Sequence, residues 1–346
     1  NKMIQWFVVI TLVFSSLSLV ESCSSSKVIY SCGVTKNMQN PGSIQPDLCS
    51  HIILSKFDVY VGNLHGDFYA DILQYLIPTA MNKELYSMKK KNKKLKILFE
   101  VHLSDEEPKN KKELQCYKNM DEFFTALWNF YPVDGIVVDS SSVHQDKVDK
   151  LFAHLSQQVK GKGKTMWLRG HYQDNSLNPS CRNYNESFDH VIMEMKKTPI
   201  IKTDENSFGS ELDDIVQKWT KLGFSKTQMI MEYSMQPMAY EIDDTIDSNT
   251  VRIKETSGTQ NNKGDQFQKD VQKVSEDDRL TDRMNVVLKN STNILIINDE
   301  RTTANKVLYL SEKHDLHNFH IFGFDEDFRR MREFYTIKGL IETELL

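Results

Sequence analysis

Glycine, proline, paired cysteines and long apolar runs are all scarce in this 346-residue chain, and each shortage excludes something. With 14 glycines and 8 prolines there are too few turn residues for a many-stranded sandwich. The five cysteines, Cys23, Cys32, Cys49, Cys116 and Cys181, include no Cys-x-x-Cys pair, so the usual zinc spacing is missing. They are also too few to staple a small disulfide-built fold. No His-x-x-x-His or Glu-x-x-His pattern suggests a metal, and no Gly-x-Gly-x-x-Gly follows the first strand pattern, so no cofactor is expected. Neither charge sign dominates: 43 basic against 48 acidic residues give a net charge of −5. That balance excludes a generally basic nucleic-acid binder.

The one long apolar run is at the start. Trp6–Phe14 (WFVVITLVF) follows Lys2 and precedes Val20-Glu21-Ser22, the layout of a secretory signal over residues 1–22. Ser15, Ser16, Ser18 and Glu21 interrupt it, and a spanning helix needs about 20 apolar residues, so a membrane anchor is the weaker reading. The expectation is a secreted, extracellular chain of residues 23–346, acting as a monomer, in which disulfides are allowed. Asn185-Glu-Ser and Asn290-Ser-Thr are then usable glycosylation acceptors.

What the chain does have is alternation. Val28–Tyr30, His51–Lys56, Lys96–His102, Gly135–Asp139, Thr165–Arg169, His190–Met195, Gln228–Tyr233 and Phe319–Phe324 read as eight short buried strands. Helical periodicity separates most of them, over Phe68–Met88, Glu122–Trp128, Val148–Val159, Leu212–Leu222, Thr303–Leu316 and Asp327–Leu340. Trp128 and Trp219 fall at helical core spacing and read as packing residues. Strands alternating with helices imply parallel pairing through right-handed crossovers. Eight such units predict a (β/α)₈ TIM barrel, of class α/β. A polar excursion over about 241–298 breaks the rhythm as an insertion between strands seven and eight, with one further strand at Thr292–Ile297. Lys89–Lys96 reads chiefly as a solvated helix end and secondarily as an anion patch of glycosaminoglycan type.

Several spaced segments carry a resemblance. They are Val28-Ile-Tyr-Ser-Cys32 with Ile44-Gln-Pro-Asp-Leu-Cys49-Ser-His-Ile-Ile; Tyr131-Pro-Val-Asp134-Gly135-Ile-Val-Val-Asp139; Trp219-x-x-x-Gly223-Phe-Ser-Lys-Thr-Gln-Met-Ile-Met; and Asn298-Asp-Glu, Thr302–Tyr309 and Ile321-Phe-Gly-Phe-Asp325-Glu-Asp-Phe328. Together, in order, they resemble the family 18 glycoside hydrolases, the chitinases and chitinase-like proteins. The resemblance implies a (β/α)₈ domain over 23–346 and a disulfide between Cys32 and Cys49; a second bridge between Cys116 and Cys181 is less secure, and Cys23 is left unpaired.

The resemblance also implies where chemistry would sit. The family's Asp-x-x-Asp-x-Asp-x-Glu motif on strand four would use its Glu as acid and its last Asp to orient the substrate acetamido group. In this chain the frame reads Asp134, Val137, Asp139 and Ser141, so two of the four are replaced, the acid among them. The Met-x-Tyr-Asp of strand six corresponds to Glu194-Met-Lys196-Lys197, the Gly-Gly-Trp after strand three to Val101-His102-Leu103, the strand-eight tryptophan to Phe322 and the aromatic after strand one to Asn37. The favoured expectation is a chitinase-like protein without hydrolase activity, binding a chitin-type glycan or an extracellular protein through residues such as Asp139 and Phe322. An active hydrolase with a relocated acid, drawn from Glu100, Glu194 or Glu232, is the alternative; an interaction protein with no sugar site is the third. Ser140-Ser-Ser142 with His144 invites a nucleophile reading, but small polar residues there commonly cap the next helix.

Overall fold

The eight expected strands close into a ring, and the ring exists because every strand starts beside an anchored neighbour. The computed structural model describes residues 28–34, 46–61, 68–70, 79–104, 115–117, 120–171, 184–194, 200–202, 207–234, 238–247, 250–253, 279–281, 286–289, 293–297, 300–322 and 331–344. Its strands are β1 Tyr30–Val34, β2 His51–Val61, β3 Phe68–Ala70, β4 Lys96–Ser104, β5 Gln115–Tyr117, β6 Gly135–Ser142, β7 Thr165–Gly170, β8 His190–Met193, β9 Ile200–Lys202, β10 Met229–Ser234, β11 Met238–Asp247, β12 Thr250–Ile253, β13 Arg279–Thr281, β14 Val286–Lys289, β15 Asn293–Ile297 and β16 Phe319–Phe322. Its helices are α1 Thr79–Lys91, α2 Met120–Phe130, α3 Gln145–Lys160, α4 Ser207–Lys221, α5 Glu300–His314 and α6 Met331–Glu344.

The parallel order β1-β2-β4-β6-β7-β8-β10-β16 returns to β1, where Cys32 pairs with both Ile52 and Ile321. This is the (β/α)₈ barrel expected from the alternation. β2 runs past the ring and carries the small antiparallel strands β3 and β5 on its extension. The expected helix at Phe68–Met88 is corrected by this arrangement. Phe68–Ala70 pairs as a strand, and the helix begins at Thr79. Backbone pairing to a projecting strand outweighs the local helical period there.

The excursion between β10 and β16 is richer in strands than its polar composition implies. Five strands lie within it, and with β9 they form a second, antiparallel sheet in the order β13-β14-β15-β11-β12-β9. The extra strand expected at Thr292–Ile297 is β15.

Side-chain staples fix the strand starts. Asp134, just before β6, accepts the Ile97 N–H of β4 at 2.9 Å and both carboxylate oxygens take Lys89 of α1, at 2.8 and 2.9 Å. Asp189, just before β8, repeats the device: it accepts Met166 N–H at 2.9 Å and Thr165 Oγ1 at 2.7 Å, and Lys160 of α3 lies 3.3 Å away. Asn318, before β16, accepts Ile29 N–H at 2.9 Å and donates to Thr227 O at 3.0 Å. Gly135 follows Asp134 because a Cβ there would meet the Thr165 carbonyl oxygen at 2.1 Å. Only a bare backbone fits between these strand starts.

Two apolar cores result. The larger lies between strands and helices, where Trp219 is fully buried. The smaller fills the barrel interior with Ile53, Leu98, Val137, Trp167, Ile192 and Ile230, one from each of six strands, and with Ile29 just before β1. The Cys32–Cys49 disulfide is present, with a Cα–Cα distance of 6.0 Å, and clips β1 to the start of β2. Cys116 lies in β5; Cys23, Cys181 and residues 1–22 lie outside the described residues. No helix among the described residues is long and apolar enough to cross a membrane.

The disulfide closes a 17-residue separation, which the chain-entropy relation values at about 3 kcal/mol. Replacing both cysteines (Cys32→Ser with Cys49→Ser) is expected to lower denaturant stability by about that much. An unchanged midpoint would show that the clip constrains nothing the rest of the barrel does not already hold.

Candidate functional site at the barrel mouth

Directly above the interior apolar layer sits a charged one. Strand alternation selects it, because residues two apart face the same side. Glu100 stands above Leu98, Asp139 above Val137, Arg169 above Trp167, Glu194 above Ile192 and Glu232 above Ile230. His102, Ser141, His171, His320 and Phe322 complete the set at the C-terminal ends of the strands, where barrel proteins build their sites.

Arg169 is the first node. Its Nη2 makes a close ion pair with Glu232 Oε2, its Nη1 lies 3.8 Å from Glu100 Oε2, and its guanidinium lies 5.6 Å from the Phe322 ring centroid. Burial disfavours the cation, but Glu232, Glu100, Glu194 and Asp139 together outweigh that and hold Arg169 protonated. Burial acts on Glu232 in the other direction. It lifts the carboxyl to about 7 against the pull of Arg169, with Glu194 and Glu100 adding to the rise. His320 is fully buried, with Nδ1 2.8 Å from Ser31 Oγ. Burial and then the Arg169 charge push its pKa well below the ordinary imidazole value, so it stays neutral.

Asp139 is the second node. Its Oδ1 accepts from Ser141 Oγ at 2.7 Å, Ser141 N–H at 3.1 Å and His171 Nε2 at 3.1 Å. Its Oδ2 lies 3.0 Å from His102 Nδ1, at an angle outside hydrogen-bond geometry. The other ring nitrogen of His171 is in close contact with Glu194. Burial alone would lower the His171 pKa, but bonds to Asp139 and Glu194 raise it to about 10. His171 is therefore an imidazolium bridging two carboxylates. At these nodes Arg169 Nη1 and His320 Nε2 are buried with no hydrogen-bond partner. Such atoms mark places where a polar ligand or ordered water gains full hydrogen-bond value.

The structure thus brings together Asp139, Ser141 and Phe322 with Glu100, His102, Glu194 and Glu232. It separates Asp134, which lies at the opposite end of the barrel as a strand staple. Ser140 and Ser142 belong to β6, and the residue capping α3 is His144, without a side-chain cap bond; the capping role expected of the serines is corrected. The β6 ladder, which continues through Ser104↔Ser142, claims them. Asn185 sits half-buried in a short turn at Tyr184–Glu186. Asn37, Lys196, Lys197 and Asn290 lie outside the described residues. No group of side chains suited to a metal ion occurs among the described residues.

Arg169, His171 and His320 were not singled out by sequence. The available signal was alternation: Trp167, Arg169 and His171 are spaced by two, so an arginine within an apolar strand had to face the barrel interior.

No protein-family model and no curated protein matches the sequence. Solved structures do match the fold. The Group IV chitinase of Ostrinia furnacalis, solved with allosamidin, is 15% identical with a TM-score of 0.64, over 91% of this chain and 99% of that one. The Class V chitinase of Nicotiana tobaccum is 11% identical with a TM-score of 0.64, over the same shares. Human YKL-39, described as a pseudo-chitinase with retained chitooligosaccharide binding properties, is 15% identical with a TM-score of 0.59, over 91% and 100%. This chain has the fold of family 18 chitinases and chitinase-like proteins.

Two outcomes follow from the charged layer. His171 binds its proton more tightly folded than unfolded, so its contribution to stability is full below its ordinary value of 6.5 and is lost as pH rises through about 10. Glu232 acts in the same sense between 4.5 and about 7, where the native carboxyl keeps a proton that the unfolded one releases. The thermal midpoint should fall as pH rises across both windows; Glu232→Gln should flatten the lower part and His171→Gln the upper. Removing the shared cation by Arg169→Met should cost about 3–5 kcal/mol, because Glu232 and Glu100 are left buried without it. A melting curve for that variant matching the wild type would show the carboxylates to be neutral already.

Proposed function

We propose that the protein is a secreted chitinase-like binder of N-acetylglucosamine-type glycans that has lost hydrolysis. The observation that carries this is Ser141. It occupies the position where the resemblance calls for the acid, and its hydroxyl donates to Asp139 instead of facing a leaving group. A serine hydroxyl is far too weak an acid to protonate a glycosidic oxygen near neutral pH. Asp139 itself is committed to Ser141 and His171, so it is not a free acceptor for an acetamido N–H.

Val137 supports the same reading. Where the motif has a carboxylate, this chain has a fully buried methyl pair inside the interior apolar cluster. Binding is supported by the mouth itself, where Phe322 is partly exposed at the end of β16 and offers a ring to a sugar face. YKL-39 shares this fold and is described as keeping chitooligosaccharide binding without being a chitinase. Secretion and glycosylation at Asn185 and Asn290 belong to the same proposal.

A second reading has one observation in its favour. Glu232 titrates near 7, the range in which a carboxyl can donate a proton and recover it. Its burial beside Arg169 counts against it, because the acid must reach the glycosidic oxygen.

The test uses chromogenic chitobiose and chitotriose reporters with calorimetric titration of chitotetraose. The wild type should bind without turnover. Ser141→Glu should gain less than about tenfold over background, since residues that act as a unit are not restored singly. Val137→Asp should cost about 3 kcal/mol or more at neutral pH and less in acid, where the buried carboxyl is protonated. Turnover in the wild type that Glu232→Gln abolishes would replace this proposal with the relocated-acid enzyme. Absence of both turnover and binding would leave a barrel without a sugar site.

A further inference from the structure

The face opposite the mouth concentrates positive charge on a protein whose net charge is −5. Lys89, Lys90 and Lys91 end α1, Lys93 and Lys94 lie in the following turn, and Lys96 opens β4. Lys160 ends α3, and Lys162 and Lys164 lie in the turn before β7. These two turns flank a single carboxylate. Asp134 N–H bonds Ile97 O at 2.8 Å, and Thr165 N–H bonds Asp134 O at 3.0 Å, so Lys96, Asp134 and Lys164 stand at the starts of three adjacent strands. At the usual strand spacing the lysine-bearing strands are roughly 10 Å apart.

Charge balance at this face is incomplete. Asp134 takes Lys89 at 2.8 Å and Lys96 at 3.6 Å, and Lys160 takes Asp189. Lys90, Lys91, Lys93, Lys94 and Lys162 are exposed and have no acidic partner among the described residues. A helix dipole accounts for cations in the last turn of α1, but not for those beyond it. Lys164 registers the crowding: burial lowers its pKa, and Lys89 and Lys96 press it further down against the pull of Asp134.

Two exposed rings lie on the helices next to this face. Phe130 is 67% exposed at the end of α2, and Tyr86 is 53% exposed on α1. Asn82, one turn before Tyr86 on the same helix face, donates to Phe130 O at 2.9 Å, which brings the end of α2 against α1. Lys89 donates to Pro132 O at 3.2 Å across that seam.

We propose that this face binds a sulfated polysaccharide, with sulfates on the lysines of the two turns and sugar faces on Phe130 and Tyr86. The chemistry favours sulfate on a flexible chain. Every cation is a lysine, a mobile point charge, and none is the forked arginine that suits paired phosphate oxygens. This site is separate from the mouth and does not depend on the proposed function there.

The experiment titrates the full chain with a heparin octasaccharide, a fully desulfated octasaccharide, a single-stranded oligonucleotide and phosphatidylserine vesicles at about 0.15 M salt. Binding should require sulfate and weaken steeply with salt. The triple variant Lys93→Gln, Lys94→Gln and Lys162→Gln should lose at least about tenfold in affinity. It should also flatten the slope of log affinity against log salt by about two, at roughly 0.7 per charge for a flexible polyanion. All three side chains are exposed, so the fold should hold. The control triple Lys150→Gln, Lys221→Gln and Lys226→Gln, also exposed, should bind as the wild type. Equal loss in both triples, no loss in the first, or tighter binding to the oligonucleotide or the vesicles would overturn the proposal.

Discussion

Everything in this molecule depends on closing eight parallel strands into a ring whose interior is one side chain deep at each level. Alternation then leaves no freedom: each strand must supply an inward residue at every second position, and the layers must fill and neutralise themselves. The lower layer solves this with Ile29, Ile53, Leu98, Val137, Trp167, Ile192 and Ile230. The layer above places Glu100, Asp139, Glu194 and Glu232 around Arg169 and His171. Four carboxylates cannot share that space without cations, and the pKa shifts of Glu232 and His171 are the cost of confining them there.

The strands were legible because burial on both faces writes them as short continuous apolar runs. The residues that organise the mouth were legible only in part. Glu100 and Asp139 stand out as carboxylates in apolar strands, whereas Arg169 reads locally as the polar end of Thr165–Gly170. Its partners Glu100 and Glu232 come from strands on either side of it, and only ring closure makes them neighbours. The excursion was illegible for a different reason. Its strands pair mainly with one another and with β9, and its composition is too polar for periodicity to separate strand from loop.

Asp134 shows what the first residue of the frame does in this chain. By resemblance it opens the catalytic frame, yet in space it lies at the foot of β6, holding Ile97 N–H and Lys89. Asp189 does the same work at the foot of β8, with Met166 N–H and Lys160, and no catalytic frame begins there. The repetition identifies the aspartate as a strand-start staple of the preceding strand; at β6 alone a glycine follows it, and lets the Thr165 carbonyl approach.

This division of labour explains how such a fold can keep its form while its chemistry changes. The staples lie at the strand starts and the apolar layer in the middle, while catalytic function in this architecture belongs to the strand ends. Substitution at Ser141 touches neither the staples nor the apolar layer. Val137 belongs to the apolar layer itself, where its methyl pair packs with Leu98 and Trp167. The mouth above them is held by the ion pairs of Arg169 with Glu232 and of His171 with Asp139 and Glu194, which depend on neither the staples nor the apolar layer.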